Sequence, residues 1–134
     1  MSVSGLLFRF TGIYLALLAC IAVAFDALGL KANSGVNSAA LVGAVLWSCA
    51  WFARNNGRFL EASERTRAVL GMWGIDVGFQ VAVALALGAA LGTRLPLMPM
   101  LLATGFIGLM HGVLIYFMVG LAGKQDSRQR ARGA

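Results

Sequence analysis

The chain is short of acid, histidine, cysteine and proline. Asp and Glu together number five against eleven Lys and Arg, and there is one His. A single His leaves no room for the two-His HExxH zinc-protease pattern, and no nucleophile elbow, P-loop or dinucleotide fingerprint is present. The two cysteines, Cys20 and Cys49, both sit inside apolar runs with no CxxC and no Cys/His cluster, which argues against a zinc site. They read as free thiols packed as small hydrophobes. Charged residues make up 12% of the chain, where a soluble domain carries about a quarter. The net charge of +6 comes without a basic patch interleaved with stacking aromatics, so nucleic-acid binding is not expected. No enzymatic activity, cofactor or metal is expected.

What the chain has in plenty is apolar length. It is 60% hydrophobic over 134 residues. A globule of this size cannot hide that much apolar surface, so the solvent for most of it must be lipid. Four apolar runs, about 10–28, 38–53, 68–91 and 97–121, are each long enough or nearly long enough to cross a bilayer. Leu17-Leu18-Ala19-Cys20 loosely resembles a lipoprotein cleavage box, but one Arg ahead of the run and further spans behind it favour a retained first helix. The expected fold is all-α: a single integral membrane domain over residues 1–134, built as a four-helix bundle.

The basic residues set the orientation. In a four-span arrangement Arg9, Arg54, Arg58, Arg65, Arg67, Lys124, Arg128, Arg130 and Arg132 fall on one side, and only Lys31 and Arg94 fall on the other. The positive-inside rule makes the first side cytoplasmic, with both termini in. Residues 54–67 then form a basic cytoplasmic loop carrying Arg54, Arg58, Arg65 and Arg67, in which Glu61 and Arg65 are spaced as a helical ion pair. Residues 123–134 form a polar, basic, frayed tail. GLKANSGVN at 29–37 and GTRLP at 92–96 read as turns on the outer side. Asp26 falls near the outer end of the first span, where it can reach water or answer Lys31.

Burying leucine does not drive helices together in lipid, whereas close approach at small residues and interhelical hydrogen bonds do. Gly74/Gly78 and Gly108/Gly112 are GxxxG pairs on the third and fourth spans. They predict that these spans cross closely through both pairs, with homodimerisation through one of them as the alternative. The intramembrane polar residues also fall at similar depth. Asp76 lies roughly 12 Å and His111 roughly 15 Å from the cytoplasmic ends of their spans at 1.5 Å per residue. Gln80 is one turn further in, and Tyr14 on the first span comes out near Asp76. The expectation is a buried polar layer of Asp76, Gln80, His111 and Tyr14, centred on an Asp76–His111 pair. Such a layer can fix helix register, carry protons or ions, or recognise a partner.

Several short stretches are familiar together: Arg9-Phe10 followed by Ile13-Tyr14-Leu15, Leu28-Gly29 ahead of Ser34-Gly35-Val36, then Phe52, Gly57-Arg58, Glu64 and Leu70. Over about the first two thirds of the chain they resemble a family of small four-span bacterial inner-membrane proteins without an established activity. The family has no defined functional residues to carry over. The resemblance implies residence in the bacterial inner membrane and a non-enzymatic accessory or protective role. Its most concrete form is an immunity protein that neutralises a pore-forming toxin, with a toxin or secretion component as partner. The other expectation is a small proton- or ion-coupled transporter or channel subunit using the Asp76/Gln80/His111 layer. Small four-span drug transporters carry a carboxylate midway along the first span. Here that span has Asp26 only near its end, so their pattern does not transfer.

Overall fold

The computed structural model describes residues 1–29, 34–90, 92 and 97–133. Within them the chain forms four helices: α1 (Val3–Ala27), α2 (Ser34–Asn56), α3 (Ala62–Ala90) and α4 (Leu97–Gly133). All four are long and apolar enough to cross a membrane. Lys31, Arg94 and Pro96, with parts of the two expected outer turns, lie outside the described residues.

Every helix exceeds its expected span, for local reasons. Ser2 caps α1 by accepting a hydrogen bond from the Gly5 N–H, so the helix begins at Val3, ahead of the apolar run expected from about residue 10, and Leu6 is buried. α1 and α2 stop where a glycine adopts positive φ, at Gly29 and Gly57, a backbone conformation other residues resist. The basic loop expected over 54–67 shrinks to Gly57–Glu61, because α2 carries Arg54 in its last turn and α3 already holds Arg65 and Arg67. The tail expected to fray is instead the end of α4. Asp126 and Arg130 pair one turn apart at 2.8 Å, and Arg130 and Arg132 sit where the helix dipole favours positive charge.

α1 packs against α2 and α3, and α4 packs against the same two, so the order round the bundle is α1, α2, α4, α3. The segment 57–61 therefore crosses the end of the bundle diagonally. At that end the Met1 ammonium donates to Asn56 and Arg130 donates to the Gly57 carbonyl. We call this the terminal end. The tightly packed core belongs to it: Leu6 and Phe10, Val45 and Phe52, Met72, and Ile115 and Val119 are all fully buried. Among the described residues the opposite end is open. Past Tyr14 no residue of α1 is buried, and past Asp76 only Gly88 of α3 is. Val23, Leu85, Leu87, Leu101 and Leu102 are exposed there, as lipid-facing side chains are.

Candidate functional site

The core ends in a layer of polar side chains to which every helix contributes. Tyr14 comes from α1, Asn37 and Ser38 from the start of α2, Asp76 and Gln80 from α3, and His111 from α4. Tyr14 and Asp76 are wholly inaccessible and His111 is 5% exposed. Asp76 is the hub. Its Oδ1 lies 2.7 Å from the Tyr14 hydroxyl, and its Oδ2 lies 2.8 Å from both the Gln80 amide nitrogen and His111 Nδ1. His111 Nε2 is 3.1 Å from the Ser38 hydroxyl. The Tyr14 ring is fixed by a stacked Phe10 and an edge-on Phe79, which aims its hydroxyl at the carboxylate.

Donor counting limits what this layer does. When His111 Nδ1 carries a proton it donates to Asp76, and Gln80 donates to the same oxygen. The 3.2 Å between Gln80 nitrogen and Nδ1 is then two donors converging on one acceptor. The neutral ring accepts the Ser38 hydroxyl at Nε2, whereas the charged ring donates there instead. Tyr14 has one hydroxyl proton but two neighbours at 2.7 Å, Asp76 Oδ1 and Asn37 Oδ1. With Asp76 ionised, Tyr14 donates to Asp76 and the Asn37 amide turns to donate to the hydroxyl. With Asp76 protonated, the carboxyl donates to Tyr14 and Tyr14 donates to Asn37. Both arrangements leave every hydroxyl and carboxyl group of the chain Ser38–His111–Asp76–Tyr14–Asn37 with a hydrogen-bond partner.

The layer borders a cavity. Because α2 starts at the layer while α1 and α3 run roughly 20 Å past it, a space of about 480 Å³ opens between Leu18, Ile21 and Phe25 on one side and Phe79 and Val83 on the other. Asn37 and Gln80 are the polar groups on its wall. Gln80 donates one N–H to Asp76, which leaves its carbonyl oxygen as an acceptor. The result is an apolar chamber whose floor is one hydrogen bond away from an ionisable couple.

The two GxxxG pairs fare differently. Gly108 and Gly112 form a notch filled by Trp73, whose indole N–H donates to the Gly108 carbonyl at 2.7 Å, while Val77 packs on Gly108. Gly74 and Gly78 have nothing within 4 Å of where a side chain would begin, so they do not form the α3–α4 seam. One residue earlier on α3 is 100° away round the helix, and that rotation puts Trp73 and Val77 in the seam. α3 does use a glycine against α1, at Gly71, over which Leu7 lies.

The expected basic cluster divides into separate contacts. Arg58 grips Glu64 with two hydrogen bonds of 2.6 and 2.9 Å and also meets Glu61 at 3.4 Å. Arg65 does not pair with Glu61 as expected. Its guanidinium lies 4.9 Å above the Tyr116 ring, because the surface of α4 at Gly120 is low enough to admit it. Arg54 lines a cleft with Arg130, and Arg67 is exposed on α3. Asp26 is exposed in the last turn of α1. Cys20 is exposed, Cys49 is buried, and both are free.

Asn37 and Ser38 were not anticipated as members of the layer. Asn37 closes the Gly/Asn/Ser-rich stretch that reads as a turn and Ser38 opens the apolar run after it, and the signal that marks them is their place in the first turns of a buried helix. Among the described residues no group of three His, Cys, Asp or Glu side chains converges on a point that could hold a metal ion. No protein-family description, curated protein or solved structure matches this chain.

Proposed function

We propose that this multi-pass membrane protein resides in the bacterial inner membrane with both termini cytoplasmic, and that it couples proton exchange at Asp76–His111 to a small apolar or amphipathic ligand in the adjoining cavity, as a small transporter or channel subunit does. The observation that carries this reading is a carboxylate and an imidazole 2.8 Å apart, buried one hydrogen bond behind Gln80 on the wall of an open apolar chamber. Ionisable groups at membrane depth are costly, and such a group is read by default as a functional site. Gain of one proton at Asp76 changes the charge of the layer by one and, through Tyr14, turns the Asn37 amide that lines the chamber. That gives a ligand in the chamber a different floor in each state. The reading is tested by proton flux in liposomes carrying the purified protein. Asp76→Asn removes the flux; a wild type without flux, or a mutant that keeps it, overturns the proposal.

A second reading is favoured by a different observation. The open end presents broad apolar faces, with Val23 and Leu28 on the α1 side and Met98, Leu102 and Phe106 on α4 all strongly exposed. A transmembrane helix of another protein can dock on such a face, as an immunity protein would dock a pore-forming toxin. Capture from native membranes tests this: a stoichiometric membrane-active partner supports it, and isolation as a lone chain or homo-oligomer counts against it. On this reading Asp76→Asn leaves protection intact. Neither reading calls for catalysis or a cofactor.

A further inference from the structure

We propose that the cleft around Arg65 at the terminal end binds the phosphate of an anionic phospholipid from the leaflet at that end. The cleft holds about 510 Å³ between the start of α3 and α4. Two cations line it, Arg65 and Lys124, and no acid does. The carboxylates nearest in sequence are engaged elsewhere: Glu61 and Glu64 meet Arg58, and Asp126 meets Arg130. Arg65 makes no ion pair among the described residues, and its Nε is buried without a hydrogen-bond partner. Its guanidinium is nonetheless held in place, laid over Tyr116 and into the notch at Gly120. A guanidinium held in place without a counter-ion is a strong site for phosphate, which it can bind through two parallel N–H donors.

The cleft's depth points to lipid as the source of that phosphate. Lys124 is the first charged residue of α4 after its apolar stretch. One and two turns below, Leu121 and Phe117 are 45% and 61% exposed on the same lining. A headgroup phosphate between Arg65 and Lys124 therefore has apolar side chains directly beneath it for the acyl chains. Basic pockets of this kind between transmembrane helices suit acidic lipid headgroups. Ser127 also borders the cleft, but its hydroxyl donates to the Lys124 carbonyl, so it is not counted as a ligand.

The test uses the full chain in phosphatidylcholine nanodiscs, with phosphatidylglycerol or inorganic phosphate added and thermal stability and retained lipid read out. Phosphatidylglycerol is expected to raise the melting temperature and to persist as a bound adduct, while inorganic phosphate does neither. Arg65→Gln and, separately, Lys124→Gln each weaken the lipid response by roughly fivefold, about the contribution of one cation at an anionic surface. Lys124 is exposed, so its variant keeps the test valid if Arg65→Gln fails to fold. Equal responses in wild type and Lys124→Gln overturn the proposal. So does an equal effect of inorganic phosphate, which makes the cleft a soluble-anion site.

Discussion

At the scale of single residues, Asp76 bears the most. It accepts from Tyr14, Gln80 and His111 in the least accessible part of the molecule, so an amide in its place turns an acceptor oxygen into a donor facing other donors. Asp76→Asn is expected to cost about 1–3 kcal/mol of stability, the range for a buried donor left without an acceptor. Tyr14→Phe should fall in the same range, since it strands Asn37 as well. Thermal melts in one detergent check both; no loss in either variant means that the layer does not help to hold the bundle. In the first turn of α3, Arg58 holds the Glu64 carboxyl well below its ordinary value of 4.5, at about 2, with the Glu61 N–H adding a third hydrogen bond. A depressed carboxyl contributes stability above its unfolded pKa and loses it as pH falls through the folded one. Wild type should therefore melt above Glu64→Gln at pH 6, and the two should converge between about 4.5 and 2. Parallel curves over that interval would show that the pair contributes nothing. The layer was legible in the sequence as far as Tyr14, Asp76, Gln80 and His111, because a helix rises by a fixed amount per residue and depth can be counted. Asn37 and Ser38 were not legible, since depth counting needs a known starting point and the start of α2 was hidden in turn-like composition.

At the scale of elements, the four helices follow from apolar length, but the way two of them meet does not. Period alone pairs small residues with small residues, and so proposes Gly74/Gly78 against Gly108/Gly112. The chain instead packs a large residue into a notch, with the Trp73 indole seated on Gly108 and Gly112 and its N–H on a backbone carbonyl. The contrast gives a paired prediction. A side chain at Gly112 would begin 3.1 Å from Trp73 Cδ1, so Gly112→Leu must push the indole from its seat and is expected to cost about 1–3 kcal/mol. Gly78→Leu, which meets open space, should leave the melting temperature of the single chain unchanged. Trp73 fluorescence in a Trp47→Phe, Trp51→Phe background should shift with the first substitution and not with the second. If Gly78→Leu is the damaging one, the α3–α4 seam lies where the sequence period put it.

At the scale of the whole molecule, the packed and open halves coincide with the charge distribution. The end that gathers the core also gathers both termini, the short 57–61 connection and nine of the eleven basic residues. A bundle that inserts with this end in the cytoplasm keeps those charges from crossing the bilayer and turns its open chamber toward the outer leaflet. Green fluorescent protein fused after Arg132 should then fluoresce, and alkaline phosphatase at the same place should stay inactive. The orientation should also be robust. Neutralising Arg54, Arg58, Arg65 and Arg67 together leaves Arg9, Lys124, Arg128, Arg130 and Arg132 against Lys31 and Arg94, so the reporters should still place the terminal end inside. The bias counts only Lys and Arg near the span ends, and the tail of α4 supplies most of what remains. Neutralising Lys124, Arg128, Arg130 and Arg132 as well leaves Arg9 alone against two, and the bias reverses. An alkaline phosphatase signal at Arg132 in that variant, absent from the wild type, would show that charge sets the direction in which the chamber faces. If the reporters stay unchanged in both variants, the orientation is set by the first helix instead, whose only basic residue is Arg9.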